Sequence, residues 1–290
     1  MVIDGKRIAG EMLERLAHEP RPRVFLVAIL VGQDPSSVSF VRQKGQTARA
    51  LGVDFRVHKM GSSSHTDGVA SAVRAYVADP ACGGIVVQLP LPPQVSRAMI
   101  LSEIPLEKDV DVIGNQAVRA FQNEFARVLP PAVGVVEKIL TTYNMQRITM
   151  HAAVLGANGF LVGQPVARWL EGKVANLVRI DIGDDHSPIA HADLVVSCTG
   201  QPGILKPDQL KDSAVVIDFG YGSKRRNNEI RDMNDGVEPA GRDICGDLDT
   251  SSDIHTSYLA AHGITYTPTP GGTGPILVAQ LFENFYTLNQ

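Results

Sequence analysis

Three cysteines in 290 residues, Cys82, Cys198 and Cys245, are too few and too irregularly spaced for a disulfide framework or a thiolate metal site. They read as reduced thiols of a cytoplasmic protein. No basic run goes beyond Lys224-Arg225-Arg226, which reads as a solvated loop, and the net charge of −4 argues against nucleic acid as a partner. No apolar run is long enough to span a bilayer, and the first residues, with Asp4, Lys6 and Arg7, lack the layout of a secretory signal, so no membrane partner is expected. Internal repeats and low-complexity segments are also lacking. What remains is 44% apolar and 20% charged residues, the composition of a globular chain with material for one large domain or two ordinary ones.

The most informative stretch is Gly83-Gly84-Ile85-Val86-Val87-Gln88-Leu89-Pro90-Leu91-Pro92. Its apolar run fits a parallel strand covered on both faces. Pro90 and Pro92 cannot donate to a ladder and end it, so Gln88 stands at the carboxyl end of the strand, where open α/β sheets bind ligands. Upstream, residues 6–18 have helical periodicity, residues 23–31 form a second apolar run, and Asp34 offers an N-cap for a helix reaching about Leu51, closed by Gly52. A strand over 53–58 and a helix over 67–78 complete a β-α-β-α-β series, which implies a parallel sheet with right-handed crossovers. A helix-rich connection over 94–104 leads to a polar loop at 107–111. Residues 115–131 have poor periodicity and end in Pro130-Pro131, where the domain boundary is placed. A helix over 132–143 should bridge two lobes. Strands over 150–155, 175–181, 193–198 and 214–218, with helices over 163–170 and 249–262, repeat the alternation. The loop at 267–275 then feeds an apolar helix over 276–286.

Several constellations could carry chemistry. Phe40 and Lys44 lie one helical turn apart, which suits a flat ligand that is stacked and then protonated, although spacing alone favours a core ring and a solvated amine. Gly156-Ala157-Asn158-Gly159, with Gly163 opening the next helix, follows an apolar strand and resembles a pyrophosphate-binding turn, in a G-x-x-G-x-x-x-G spacing that is weak by itself. Asp181 ends the next strand 25 residues after Gly156, against roughly twenty for an acid that binds the adenosine ribose. Thr199 and Gly200 close another strand of this lobe and offer small residues over which a cofactor could lie. Asp109 and Asp111 could pair with ligand amides or simply be exposed, and no third ligand accompanies them, so no metal is expected.

Together these stretches resemble the methylenetetrahydrofolate dehydrogenase/cyclohydrolase family over nearly the whole chain. The matches run from Val31-Gly32 and Ser37 through Lys44, Gly84–Pro92 and Lys108–Asp111 to Val162–Pro165, Ala192–Ser197 and Val216–Gly220. Gly246–Asp249 and Pro270-Gly271-Gly272-Thr273-Gly274-Pro275 complete them, and the Gln-Leu-Pro-Leu-Pro and Pro-Gly-Gly-x-Gly-Pro pieces are specific to that family. The resemblance implies a two-lobed α/β fold: an N-terminal catalytic domain with a parallel sheet plus a Rossmann-like dinucleotide-binding domain. The expected domains are 1–125 with a returning helix in 272–290, and 126–271, with a folate cleft between the lobes. It further implies catalytic roles for Lys44, Gln88 and Asp111, and folate contacts from Phe40, Lys44, Gln88, Leu89, Asp111, Pro270, Gly271 and Gly272. NAD or NADP would be held by Gly156, Ala157, Asn158, Gly159, Gly163, Asp181, Thr199, Gly200, Tyr221 and Leu277. The implied activity oxidises 5,10-methylenetetrahydrofolate and hydrolyses the methenyl product to 10-formyltetrahydrofolate, within one-carbon metabolism and purine biosynthesis, in a cytoplasmic homodimer.

The chain departs from the family pattern at several positions. Phe40 replaces a tyrosine, Val112 a glycine and Leu277 a threonine, while Leu129-Pro130-Pro131-Ala132 stands where the family has Pro-Cys-Thr-Pro. The NADP-type Gly-Arg-Ser is replaced by Gly156-Ala157-Asn158 plus one inserted residue. Loss of that arginine, together with Asp181, favours NAD over NADP. The loss of the tyrosine hydroxyl puts the cyclohydrolase half in question. Two alternatives stay open: a folate- or nucleotide-binding paralogue with reduced or lost catalysis, and an unrelated Rossmann dehydrogenase.

Overall fold

A computed structural model of the chain describes residues 1–225 and 242–290. The chain runs α1 (Gly5–Ala17), β1 (Phe25–Val31), α2 (Pro35–Leu51), β2 (Phe55–Met60), α3 (Thr66–Ala78), β3 (Cys82–Val87), α4 (Arg97–Ser102), α5 (Asn115–Gln122) and α6 (Pro131–Thr142). It continues through β4 (His151–Leu155), α7 (Gly163–Leu170), β5 (Asn176–Ile180), β6 (Leu194–Ser197), β7 (Val215–Asp218), β8 (Gly222–Arg225), β9 (Arg242–Cys245), α8 (Asp253–Ala261), β10 (Thr265–Tyr266) and α9 (Thr273–Leu288). Backbone packing divides it into a unit of Arg7–Val135 with Ile276–Gln290 and a unit of Met1–Lys6 with Val136–Pro275. Among the described residues no helix is long and apolar enough to cross a membrane.

The first unit is built on a three-stranded parallel sheet in the order β2-β1-β3. Every residue of β1 and β3 is buried, as strands covered on both faces require. Leu26, Ala28 and Leu30 of β1 pack with Val41, Ala48 and Leu51 of α2 and with Val278, Leu281, Phe282, Phe285 and Tyr286 of α9. That helical stripe is what the spacing of apolar residues in the last segment encodes. The glycines before Ile85 have a steric cause: a Cβ on Gly84 would lie 2.8 Å from Leu26, 2.9 Å from Val110 and 3.0 Å from Phe285. Asp34 caps α2 by accepting the Ser37 N–H at 2.8 Å, worth about 1 kcal/mol, and Gly52 ends the helix in the left-handed region at φ 68°.

Two local expectations fail here. The helix α5 was not expected, because it buries only Ala117 and gives too short an apolar pattern. The strand expected over 53–58 is displaced to Phe55–Met60, an edge strand whose side chains are only half-covered.

The second unit carries a five-stranded parallel sheet in the order β10-β7-β6-β4-β5. In chain order within the unit this is the doubly wound arrangement 2-1-3-4-5, with its topological switch point between β4 and β6. The core joins Ala153, Leu155, Val195 and Val216 of the sheet to Leu259 of α8 and Leu248. Residues Met1–Ile3 extend the β10 edge: Ile3 N–H donates to Tyr266 O at 2.8 Å and Tyr266 N–H to Met1 O at 3.0 Å.

Lys224 and Arg225, expected in a loop, belong to β8, which pairs antiparallel with β9; Arg226 lies outside the described residues. The helix expected over 249–262 begins only at Asp253, after Ser252, whose hydroxyl accepts the His255 N–H. Asp249 is instead buried and held by Lys206 at 2.6 Å.

Candidate active site

In the three-stranded sheet the switch point lies between β1 and β3, and the chain leaving each strand supplies the site. Gln88 continues the ladder for one residue past β3, its N–H donating to Ile29 O at 3.0 Å. Its side chain therefore leaves the sheet edge at a fixed place. The Lys44 ammonium on α2 donates to Gln88 Oε1 at 3.0 Å, and Gln88 Nε2 donates to Leu89 O at 2.9 Å. Ser37, about two helical turns earlier on α2, donates its hydroxyl to the same Leu89 carbonyl at 3.2 Å. Lys44 is 8% exposed, so the solvated amine favoured by spacing alone is wrong. Phe40 is half-buried rather than core.

The chain after α4 returns alongside β3, where Asp109 bridges Ile85, and this brings Asp111 to Lys44. Burial pushes the Lys44 amine below its ordinary value, and the Asp111 charge opposes the shift. Burial likewise pushes the Asp111 carboxyl up, opposed by Lys44. An amine, an amide and a carboxylate from three distant segments thus meet in one unit.

Neither aspartate is simply exposed. Asp109 is fully buried, and its carboxylate accepts the N–H groups of Ile113 at 3.0 Å and Gly114 at 2.6 Å. Burial raises it to about 6, with the Asp111 charge adding and the Gly114 N–H opposing. This grip holds the turn in which Val112 adopts φ 54°, a left-handed conformation unusual for a β-branched residue. Lys108 donates to the carbonyls of Tyr76, Val77 and Asp79 that end α3, which anchors the loop from its other side.

The second unit has its own constellation at the carboxyl ends of β4 and β6. Gly156 turns at φ 85°, and a Cβ on Gly163 would fall 2.0 Å from Gly156 O, so only glycine lets the turn close on α7. The N–H groups of Gly156 and Ala157 both go to Ile180 O, that of Asn158 to Asp181 Oδ2 at 2.7 Å, and that of Gly159 to Gly156 O. Sequence spacing aims these groups at a pyrophosphate; the fold uses them internally. Asp181 sits half-buried against the turn. This tight glycine turn at a switch point, with a carboxylate on its rim, fits a dinucleotide.

On β6, Ser197 leads into Cys198, Thr199 and the exposed Gly200 at φ 67°. The Cys198 thiol donates to Leu155 O and Gly156 O, each at 3.2 Å, and burial followed by the charges of Asp247, Asp181 and Asp218 pushes it up to about 12. It is a packing group, not a nucleophile. Tyr221 is 49% exposed, and Pro270, Gly271 and Gly272 follow β10 in the same unit. Leu277 stands on α9 in the first unit, apart in the chain from the other predicted cofactor residues. Spacing did not single out the buried carboxylates Asp218 and Asp247, although both lie in quoted family segments; burial of an acid just past a strand end is visible only in the fold.

Residues 3–111 match the model of the tetrahydrofolate dehydrogenase/cyclohydrolase catalytic domain, and residues 130–290 that family's NAD(P)-binding domain. The chain belongs to the tetrahydrofolate dehydrogenase/cyclohydrolase family. A bifunctional protein FolD from Azoarcus sp. (strain BH72) is 33% identical over 98% of this chain and 94% of its own length. The mitochondrial bifunctional methylenetetrahydrofolate dehydrogenase/cyclohydrolase of Drosophila melanogaster is 28% identical over 98% of this chain and 92% of its own. The crystal structure of the Trypanosoma brucei methylenetetrahydrofolate dehydrogenase-cyclohydrolase, complexed with NADP cofactor and inhibitor, superposes with a TM-score of 0.86 at 26% identity, covering 99% and 96% of the two chains. The family's arrangement of a catalytic and an NAD(P)-binding domain with parallel sheets is therefore that of this chain.

Proposed function

We propose that this chain oxidises 5,10-methylenetetrahydrofolate with a nicotinamide dinucleotide, NAD in preference to NADP, and hydrolyses the methenyl product to 10-formyltetrahydrofolate. The observation that carries the reading is the buried Lys44 amine, bonded to Gln88 at 3.0 Å and paired electrostatically with Asp111, in a chain of this family. Asp111 anchors the pterin by accepting a pair of its N–H groups. Phe40 stacks on the aminobenzoyl ring and Leu89 lines the same mouth, while Pro270, Gly271 and Gly272 of the other unit offer backbone that a ligand can approach closely. Gly156, Ala157, Asn158, Gly159, Gly163, Asp181, Thr199, Gly200, Tyr221 and Leu277 hold the dinucleotide. When bound, its nicotinamide ring accepts a hydride from the bridging methylene.

Lys44 serves the hydrolytic half. Its depressed amine takes the proton shed by the water that attacks the methenyl carbon and delivers one to the ring nitrogen that departs. Gln88 Oε1 holds the amine in place by accepting one of its protons. The NAD preference is supported by Ala157, which offers no cation to a 2′-phosphate, and by the Asp181 carboxylate against the turn, which repels one and accepts from a free ribose hydroxyl. Homodimeric assembly and a cytoplasmic site of action complete the reading on family resemblance. No observation favours a paralogue without turnover.

The test is steady-state turnover of methylenetetrahydrofolate with each dinucleotide, followed by absorbance. The expected result is turnover with a higher kcat/KM for NAD; an equal or higher value for NADP refutes the preference, and absence of turnover with both refutes the enzyme.

A further inference from the structure

Two fully buried carboxylates lie at the carboxyl edge of the five-stranded sheet, in no role so far. Asp247 Oδ2 accepts both the Ser197 hydroxyl and the Thr199 N–H, each at 2.7 Å, while Asp247 Oδ1 has no hydrogen-bond partner among the described residues. Beside it, Asp218 at the end of β7 accepts the N–H groups of Gly220 at 2.6 Å and Leu248 at 2.8 Å. The two acids interlock tightly: a Cβ on Gly220 would lie 2.3 Å from Asp247 Oδ1, and one on Gly246 2.1 Å from Asp218 Oδ2. The backbone of Asp218 is tied in turn to the loop bearing Pro270–Gly272, its N–H donating to Thr267 Oγ1 at 2.7 Å and its carbonyl accepting from Thr273 at 3.1 Å. One polar cluster therefore sets the spacing of three loops: the turn after β6, the turn after β7 and the Pro-Gly-Gly loop.

We propose that Asp247 is a positioning residue for the dinucleotide, bracing the Ser197–Gly200 turn from beneath, and that it does so only while the adjoining Asp218 carboxyl stays uncharged. This rests on the functional reading above, in which Thr199 and Gly200 contact the cofactor.

The physical reason is charge. With both acids ionised, two negative charges would share a dry site whose offsets among the described residues are neutral hydrogen bonds, and Asp247 Oδ1 lacks even one. Burial pushes Asp218 up to about 7, with the Asp247 charge adding and the Leu248 N–H opposing, so Asp218 is mostly protonated below neutrality. The other groups packed around it do not supply a counter-charge among the described residues. From β6 comes the Cys198 thiol, raised to about 12 and neutral throughout; from the loop after β10 come the hydroxyls of Thr267, Thr269 and Thr273; and Asp249 is paired with Lys206. Asp181 lies across the glycine turn and adds a negative charge. Deprotonation of Asp218 as pH rises through about 7 therefore pushes Asp247 away and loosens its grip on Thr199.

Two measurements on the full chain test this. NAD, whose charge is constant between pH 6 and 8.5, should bind the wild type with an affinity that falls by up to about tenfold per pH unit above neutrality. Asp247→Asn keeps an oxygen for Ser197 and Thr199 but removes the charge, so ionisation of Asp218 no longer meets a second carboxylate and NAD affinity stays flat. Amide exchange of the peptide spanning residues 194–203 in the free protein, corrected for intrinsic rates, should lose protection above pH 7 in the wild type and not in Asp247→Asn. Ser197→Ala should weaken NAD binding at every pH and keep the transition. Equal affinity at pH 6 and 8.5 in the wild type, or identical profiles for wild type and Asp247→Asn, overturns the proposal while leaving the functional reading intact. Failure of the wild type to bind either dinucleotide at pH 6 overturns that reading and this proposal with it.

Discussion

Lys44→Met keeps most of the length and apolar bulk of the side chain and deletes its charge, which makes it the sharpest probe of the three-residue cluster. The substitution leaves Gln88 Oε1 without its donor and Asp111 without the cation that opposes its desolvation. A buried hydrogen bond from a charged donor is worth about 1.5–3 kcal/mol and the half-buried Asp111 charge adds less, so the cost is about 1–3 kcal/mol. At about 2–4 °C per kcal/mol the melting temperature should fall by roughly 2–12 °C. The pH dependence has a definite sign. Asp111 has a folded pKa raised above its unfolded value, and removing Lys44 raises it further. Stability that is complete below the ordinary aspartate value of about 3.9 is then lost as pH rises through the folded value. The deficit of Lys44→Met should accordingly be small at pH 4.5 and large at pH 7.5, and Lys44→Met/Asp111→Asn should recover most of it. Methenyl hydrolysis should drop about 10²–10⁴-fold. Thermal melts of the four proteins at both pH values form a double-mutant cycle; additivity to within about 0.5 kcal/mol at pH 7.5 would show that the amine and the carboxylate are not coupled.

Phe40→Tyr restores a hydroxyl one turn from Lys44 and should raise methenyl hydrolysis, by about tenfold at most, more than it raises hydride transfer; equal effects on both refute the role given to the missing hydroxyl. Val112→Gly and Val110→Gly delete equally buried side chains, at 4% and 0% exposure, but only Val112 has a positive φ. Relief of the left-handed strain should make Val112→Gly milder by about 1–2 kcal/mol in urea unfolding, and equal losses refute the strain.

Much of this was legible in the order of residues because it depends on local rules. The runs that became β1 and β3 are continuously apolar, since both faces are covered. Asp34 and Gly52 announce the ends of α2, and the prolines after Gln88 fix where the strand must stop. The elements that escaped have weak local signals. The helix α5 is short, buries one alanine and is held by Asp109 from outside its own sequence. The first three residues pair with β10 more than 260 positions away, a contact no window can anticipate. Asp249 looked like the start of a helix because its burial against Lys206 is a long-range fact.

The candidate site divides in the same way. Sequence alone determined which chemical groups exist, which strand ends carry them, and the family that owns the Gln-Leu-Pro-Leu-Pro and Pro-Gly-Gly-x-Gly-Pro pieces. It could not determine their environment. A lysine four residues from a phenylalanine is soluble chemistry by default; only folding puts that amine at 8% exposure with an amide 3.0 Å away and within reach of the Asp111 charge. The glycine turn was visible, but not that its first four N–H groups are consumed internally. Asp218 and Asp247 are ordinary acids in the sequence and come to lie buried side by side only in the folded chain. Spacing encodes geometry along one element, whereas desolvation and charge coupling arise between elements, and those two effects set the proton chemistry of this protein.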